Sequence, residues 1–223
     1  MYYLIPGLGA DERVFRRLHL PGPHAVLPWL PLLSATEPLA RYAARLAELV
    51  PPGQPCWLVG VSFGGLLAQA IGWLRPLARV VLISSLGSPA ELPGLLRVAG
   101  RLGLHRLVPF GLLAQLPQLA RWFFGPQGRQ EFQLLSQILR DTDPAFARWA
   151  TGQLLAWPGP GVPGAARIHG THDRLLPARG ARIDYPLAGA GHFGIVSHAR
   201  QVSAELTALA DTQKGLPLAE QPF

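Results

Sequence analysis

Short runs that are apolar at every position alternate with segments that are apolar at every third or fourth position through the first part of the chain. Tyr2–Ile5 is the first such run, stopped by Pro6-Gly7. Asp11 to His19 has the length of one short helix, and Ala25–Trp29, bracketed by prolines, reads as a second strand. Thr36 to Val50 carries a helix signature. Thr36 stands as N-cap, Glu37 and Pro38 occupy the first turn, and Leu39, Tyr42, Ala43, Leu46 and Leu49 follow at helical spacing. Cys56–Gly60 is again apolar throughout, Phe63 to Arg75 is helical, and Arg79–Ile83 is a strand that is apolar after its first residue. Strands apolar on both faces and alternating with helices predict a parallel sheet covered on both sides.

The alternation then stops. From Leu86 to Trp157 the pattern is helical and irregular, with one apolar stripe at Leu95, Leu96, Ala99 and Leu102 and a second helix over Glu131–Arg140. Asp143-Pro144 is an N-cap followed by proline at the first helical position, which opens a third helix running to about Trp157. Strand signals return at Ala166–His169 and Arg182–Leu187, a last helix runs roughly from Ile195 to Asp211, and Gln213 to Phe223 reads as a frayed tail. The predicted architecture is a single α/β domain over residues 1–223: a doubly wound, mostly parallel six-stranded sheet with a helical insertion at 86–157.

Composition narrows the class. The 223 residues suffice for one domain with an insertion. Hydrophobic residues at 49% against 15% charged exclude a disordered chain. The net charge of +7 comes almost wholly from arginines scattered from Arg13 to Arg200, Lys214 being the one lysine. No basic run exceeds the pair Arg16-Arg17, so a nucleic-acid partner is not expected. One cysteine, Cys56, excludes an internal disulfide and reads as a buried thiol. The stretch from Val50 to Leu74 is uncharged, but its prolines and glycines break it into loop, strand, turn and helix, so no transmembrane segment is expected. The first residues carry no basic n-region and meet Pro6-Gly7 early, so the expectation is a soluble, cytoplasmic protein.

In open α/β sheets chemistry sits beyond the carboxyl ends of the strands. After Cys56–Val59 comes Gly60-Val61-Ser62-Phe63-Gly64-Gly65, a G-x-S-x-G pattern at a strand-to-helix junction. The glycines let the backbone turn tightly, so Ser62 is expected in a strained turn with its hydroxyl above the sheet. Its bland alternative is a glycine-rich turn that only packs a helix on a strand. A serine hydroxyl needs a base. Of the seven histidines, His192 lies in Gly189-Ala190-Gly191-His192-Phe193-Gly194, between the last strand and the last helix. His198 falls inside that helix, His19, His24 and His105 have no defined place, and His169 reads as a core or strand-end residue. The base needs an orienting carboxylate. Asp173, in His169-Gly170-Thr171-His172-Asp173 after the penultimate strand, is the candidate; Asp184 lies within a strand and Asp143 is explained by capping. His169, His172 and Asp173 also have acceptable metal-ligand spacing, but no further ligand is identifiable, so neither metal nor cofactor is expected. An oxyanion hole needs two convergent backbone N–H groups; Phe63 supplies one, and Leu8, in Pro6-Gly7-Leu8-Gly9 after the first strand, is chosen for the other.

With these pieces in place the chain resembles the α/β-hydrolase superfamily over essentially its whole length, most closely its small bacterial members of the esterase/thioesterase type. The resemblance rests on Ile5-Pro6-Gly7-Leu8-Gly9-Ala10-Asp11, Val59-Gly60-Val61-Ser62-Phe63-Gly64-Gly65, Ile168-His169-Gly170-Thr171-His172-Asp173 and Gly189-Ala190-Gly191-His192-Phe193. It implies Ser62 as nucleophile, His192 as base, Asp173 as acid, Leu8 and Phe63 as oxyanion donors, and the helical insertion as a cap over the site. Two features depart from the family pattern. Pro6 stands where the oxyanion loop usually has histidine, and there is no room before Tyr2 for the family's first two antiparallel strands, which makes this a truncated version of the fold. A second subunit is one way of covering the resulting sheet edge, so a homodimer is carried as an expectation.

The insertion is rich in leucine and aromatics, as in Phe110-Gly111-Leu112-Leu113 and Trp122-Phe123-Phe124. Its arginines, Arg97, Arg101, Arg106, Arg121, Arg129, Arg140 and Arg148, outnumber its acids. These features fit an apolar acyl pocket with a basic rim. They also fit aromatics that pack the cap on the sheet beneath solvated arginines, the favoured reading of the arginines, or a basic amphipathic cap that touches a membrane surface. The function expected is cleavage of a carboxylic ester or thioester in a small acyl substrate. Acyl transfer by the same residues, or non-catalytic ligand binding in the capped pocket, are the alternatives.

Overall fold

The computed structural model describes residues 1–107, 116–178 and 180–213. Six strands form one sheet in the order β2-β1-β3-β4-β5-β6, and every pair is parallel. The strands are β1 (Tyr2–Ile5), β2 (His24–Val26), β3 (Cys56–Val61), β4 (Ala78–Ile83), β5 (Ala166–Gly170) and β6 (Tyr185–Leu187). The helices are α1 (Leu39–Ala47), α2 (Phe63–Leu74), α3 (Gly94–Arg101), α4 (Pro117–Phe124), α5 (Arg129–Asp141), α6 (Pro144–Leu155), α7 (Gly194–Ser197) and α8 (Ala199–Gln213), with short 3₁₀ turns between them. The expected sheet, its six strands and the block of helices between β4 and β5 are all present.

The apolar runs are buried on both faces because the sheet separates two cores. Tyr3, Ile5, Leu58, Val80 and Leu82 point into one, with α1, α2 and Trp149 of α6. Their neighbours Tyr2, Leu4, Val59, Val81 and Ile83 point into the other, with Leu135, Ile138, Val202 and Leu206 from α5 and α8. This period of two explains why the strands lack polar alternation. Cys56 is buried at the start of β3, and burial pushes its thiol pKa up.

Several boundaries differ from expectation. The second strand is His24–Val26 and the sixth Tyr185–Leu187, both shorter because they are the two edges of the sheet and pair on one side only. The segment from Asp11 closes as a single 3₁₀ turn, Glu12–Phe15. The last helix is broken at His198 into α7 and α8. Asp143 does cap α6, accepting from the Phe146 N–H at 2.6 Å. The predicted tail beyond Gln213 and the Phe110–Leu113 motif lie outside the described residues.

The predicted Thr36 cap is overturned. Thr36 is exposed, and the helix begins at Leu39, after Pro38. Glu37 instead turns inward and is almost fully buried, although it precedes the helix. Its carboxylate accepts from the Leu33 N–H at 2.9 Å and from Arg45 Nη1 at 2.9 and 3.2 Å, and its carbonyl accepts from Trp149 Nε1 at 2.7 Å. This one residue thus ties the β2–α1 loop to α1 and to α6. Burial by itself favours the neutral acid, but the Leu33 N–H and the Arg45 guanidinium outweigh it, and the carboxyl is held below its ordinary range. A depressed folded pKa stabilises the fold above the unfolded value of about 4.3, and that contribution is lost as pH falls through the folded value. Arg45→Met, which leaves the carboxylate buried without its cation, is expected to cost about 3 kcal/mol in urea unfolding at pH 7. The penalty should shrink in urea titrations at pH 3, where the wild type has begun to lose the same interaction.

Candidate active site

The turn from β3 into α2 sets the geometry. Ser62 has φ 52° and ψ −121°, a backbone conformation that costs a non-glycine residue about 1–3 kcal/mol. Two glycines make the turn possible by letting backbone pack on backbone. A Cβ on Gly60 would lie 2.5 Å from Gly65 Cα, and one on Gly64 would strike the carbonyls of Ile5 and Pro6. The strained residue is held from three sides. Ser62 N–H donates to the Ile83 carbonyl at 2.9 Å, and its own carbonyl accepts from Gly65 N–H at 2.9 Å and from the buried Ser85 Oγ at 2.7 Å. Ser85 had no signal in the sequence beyond following a strand.

The turn presents Ser62 Oγ to His192. Ser62 Oγ–H donates to His192 Nε2 at 2.8 Å, and His192 Nδ1–H donates to Asp173 Oδ2 at 2.8 Å. The tautomer follows from the partners, because an ionised carboxylate only accepts. His192 and Asp173 are buried, while Ser62 is half-buried. The three side chains come from loops after β3, β5 and β6, that is, from carboxyl ends of strands in one sheet. The expected juxtaposition of Ser62, His192 and Asp173 is therefore present as a continuous hydrogen-bonded chain.

Asp173 is built in more firmly than its spacing suggested. Its Oδ1 accepts from the Leu175 and Leu176 N–H groups at 2.9 and 2.8 Å. His169, expected only as a core or strand-end residue, donates from Nε2 to the Leu176 carbonyl at 2.8 Å and lies 3.2 Å from Asp173 Oδ2. It thereby closes the turn that carries the carboxylate. Burial opposes ionisation of Asp173, but the field of His192 and the surrounding donors outweigh it and hold the carboxyl well below the usual carboxylate range. His172 is exposed, and among the described residues no three His, Cys, Asp or Glu side chains are grouped so as to hold a metal ion. Asp184 is engaged elsewhere, accepting from Arg167 N–H at 2.9 Å and pairing with Arg182 at 3.0 Å.

The loop after β1 lies against the serine: a Cβ on Gly7 would meet Ser62 Cβ at 3.3 Å. Gly7, which precedes the expected donor Leu8, is thus beside Ser62, and the other expected donor, Phe63, follows the serine in the chain. Helices between β4 and β5 touch the same loops. The Phe124 ring at the end of α4 packs edge-on to His192 with centroids 5.5 Å apart, and its carbonyl accepts from Phe193 N–H at 2.9 Å. Thr142, after α5, donates to the Ile138 carbonyl at 2.7 Å and packs on Gly9. Trp149 of α6 meets Phe63 edge-on at 5.7 Å, and Trp29 bridges Phe63 and Phe146. The cavity of about 300 Å³ beside Gln69, Glu91 and Arg167 includes none of the three linked residues.

Residues 3–205 match the model of the alpha/beta hydrolase family, and the chain belongs to that family. Solved structures share the fold at low identity. An esterase from Thermogutta terrifontis aligns with a TM-score of 0.73 and 14% identity, over 95% of this chain and 89% of that one. A bromoperoxidase from Bacillus anthracis gives 0.68 and 14%, over 94% and 91%. A hydrolase from Oleispira antarctica gives 0.65 and 15%, over 95% and 91%. No curated protein sequence matches the chain. Among the described residues, no helix is long and apolar enough to cross a membrane.

The role of His169 in holding the Asp173 turn has a measurable consequence. His169→Phe leaves the buried Leu176 carbonyl without its donor and should cost about 1–3 kcal/mol in denaturant unfolding. His169→Gln keeps a donor and should recover part of that loss.

Proposed function

We propose that this alpha/beta hydrolase is a serine hydrolase that cleaves a carboxylic ester or thioester through an acyl-enzyme on Ser62. The observation that carries the reading is the unbroken chain from Ser62 Oγ through His192 to Asp173, each link at 2.8 Å. A lone serine hydroxyl is a weak nucleophile; one that donates to a neutral imidazole nitrogen loses its proton as it attacks.

Ser62 Oγ bonds to the substrate carbonyl carbon while its proton passes to His192 Nε2. The carbonyl oxygen becomes an oxyanion, which the backbone N–H groups of Leu8 and Phe63 receive, Phe63 opening α2 where the helix dipole favours negative charge. Collapse breaks the bond to the alcohol or thiol, and His192 returns the proton to that leaving group. Water then attacks the acyl carbon, giving a proton to His192, and the second collapse frees the acid and restores the Ser62 hydroxyl. Asp173 stays ionised throughout. It holds the tautomer in which Nε2 can accept and stabilises the imidazolium once it forms.

The helical block from α3 to α6 acts in this reading as a cap. Phe124 packs on His192, and Trp149 packs on Phe63 beneath the serine turn. These apolar rings would meet the acyl portion of a substrate. The arginines of the block are mostly turned to water: Arg97, Arg101, Arg129 and Arg148 are exposed, which favours solvated arginines over a basic rim.

Labelling with a fluorophosphonate, followed by peptide mapping, is expected to give one adduct on Ser62, and Ser62→Ala should abolish it. Asp173→Asn should slow labelling and acyl-ester turnover by about 10³–10⁴-fold, because the amide favours the wrong imidazole tautomer. A folded wild-type protein that takes no label would overturn the reading and leave a ligand-binding member of the family. If labelling succeeds, parallel assays of matched oxygen esters and thioesters decide between the two substrate classes.

A further inference from the structure

Helix α3 is amphipathic in an unusual sense. The predicted stripe of Leu95, Leu96, Ala99 and Leu102 is divided in the folded protein between the core and the outside. Leu96 packs on the core, and Gly100, one turn on, approaches Leu155 of α6 so closely that a Cβ there would lie 2.7 Å from that residue's Cβ. The face turned away from α6 holds Leu95, Val98 and Leu102 at positions i, i+3 and i+7, and these are 81%, 50% and 68% exposed. Three large apolar side chains in one row along the eight-residue helix and its C-cap, Leu102, form a contiguous apolar surface of the kind that marks an interaction site rather than scattered surface hydrophobes.

Charge identifies what fits that surface. Arg97 and Arg101, one turn apart, stand exposed on the same helix, and neither is paired with a carboxylate among the described residues. The sequence has no acidic residue between Glu91 and Glu131, but it has five arginines there. Two copies of the chain meeting through this face would bring like charges together, which argues against self-association. An apolar row with a cationic flank and no local acid complements a surface that is greasy inside and negative at its edge.

We propose that α3 docks this enzyme on an anionic lipid surface, with Leu95, Val98 and Leu102 entering the acyl boundary and Arg97 and Arg101 meeting lipid phosphates. A few apolar residues or a few cations alone give weak, reversible attachment; together they supply the two signals that stable binding needs. The docked face is one helix from the site, because α6 lies under α3 and carries Trp149 onto Phe63. Docking is independent of the proposed hydrolysis, since none of its residues belongs to the Ser62–His192–Asp173 chain.

The test is co-sedimentation of the full chain with vesicles of phosphatidylcholine alone and of phosphatidylcholine with phosphatidylglycerol. Binding is expected to the anionic vesicles, to weaken in high salt, and to fall about tenfold or more in the double variant Arg97→Gln/Arg101→Gln. Leu95→Ser/Leu102→Ser should abolish it. Leu33→Ser removes another exposed leucine far along the chain, in the β2–α1 loop, and should leave binding intact. Fluorophosphonate labelling of each variant in solution, without vesicles, should match the wild type, which separates loss of docking from loss of the catalytic reading. Absence of binding to either vesicle overturns the proposal, as does equal binding to both. A dimer seen by light scattering that Leu95→Ser/Leu102→Ser dissolves, without vesicle binding, assigns the face to a second copy and overturns it too.

Discussion

The turn at Ser62 exists only because backbone can press against backbone where a side chain would otherwise stand. Gly60 and Gly64 remove the two Cβ atoms that would collide with Gly65 and with the carbonyls of Ile5 and Pro6. That close approach brings the start of α2, the end of β1 and the serine together, and it fixes a φ that a serine does not adopt freely. Everything else at the site is arranged around this point. β4 supplies the Ile83 carbonyl, and Ser85 just after it the hydroxyl, that hold the turn, and the loop after β1 lies against it. The parallel sheet is what makes the arrangement rigid: strands buried on both faces cannot shift register without turning their whole apolar set against the wrong core.

The charge at the site is handled by the same economy of local contacts. Asp173 is buried, and a buried carboxylate without partners would be neutral. It stays ionised because two backbone N–H groups, His192 and the nearby His169 surround it. Glu37 solves the same problem elsewhere with a backbone N–H and Arg45, and in doing so it joins the β2–α1 loop to the helix that carries Trp149. In both places a short loop, rather than a regular element, carries the carboxylate, and the loop's own amides help to hold it ionised.

The helices between β4 and β5 link the site to the outside of the molecule. Their inner rings, Phe124 and Trp149, rest on His192 and Phe63. The outer side of α3 is apolar and cationic, with Leu95, Val98, Arg97 and Arg101 exposed. A helix such as α3 can satisfy its fold with Leu96 and Gly100 alone, which leaves the other apolar positions available for a surface of matching chemistry.

The sheet was legible in the sequence because its signal is local. Tyr2–Ile5, Cys56–Gly60 and, after Arg79, Val80–Ile83 are apolar at every position, and only strands buried on both faces require that. Ser62, Asp173 and His192 were legible for a related reason: each follows a strand, and a parallel sheet gathers the carboxyl ends of its strands at one edge. What the sequence could not decide was direction. Thr36 and Glu37 look alike as the opening of a helix, yet Glu37 turns inward because Arg45, the Leu33 amide and Trp149 converge on it from three segments. Leu95 and Leu96 are chemically the same residue one position apart, and only the seating of Gly100 on Leu155 decides which faces the core. His169 had no visible task until the chain folded Leu176 back onto it. Periodicity records which residues leave water along one element; which partner each one meets is set when separate elements pack.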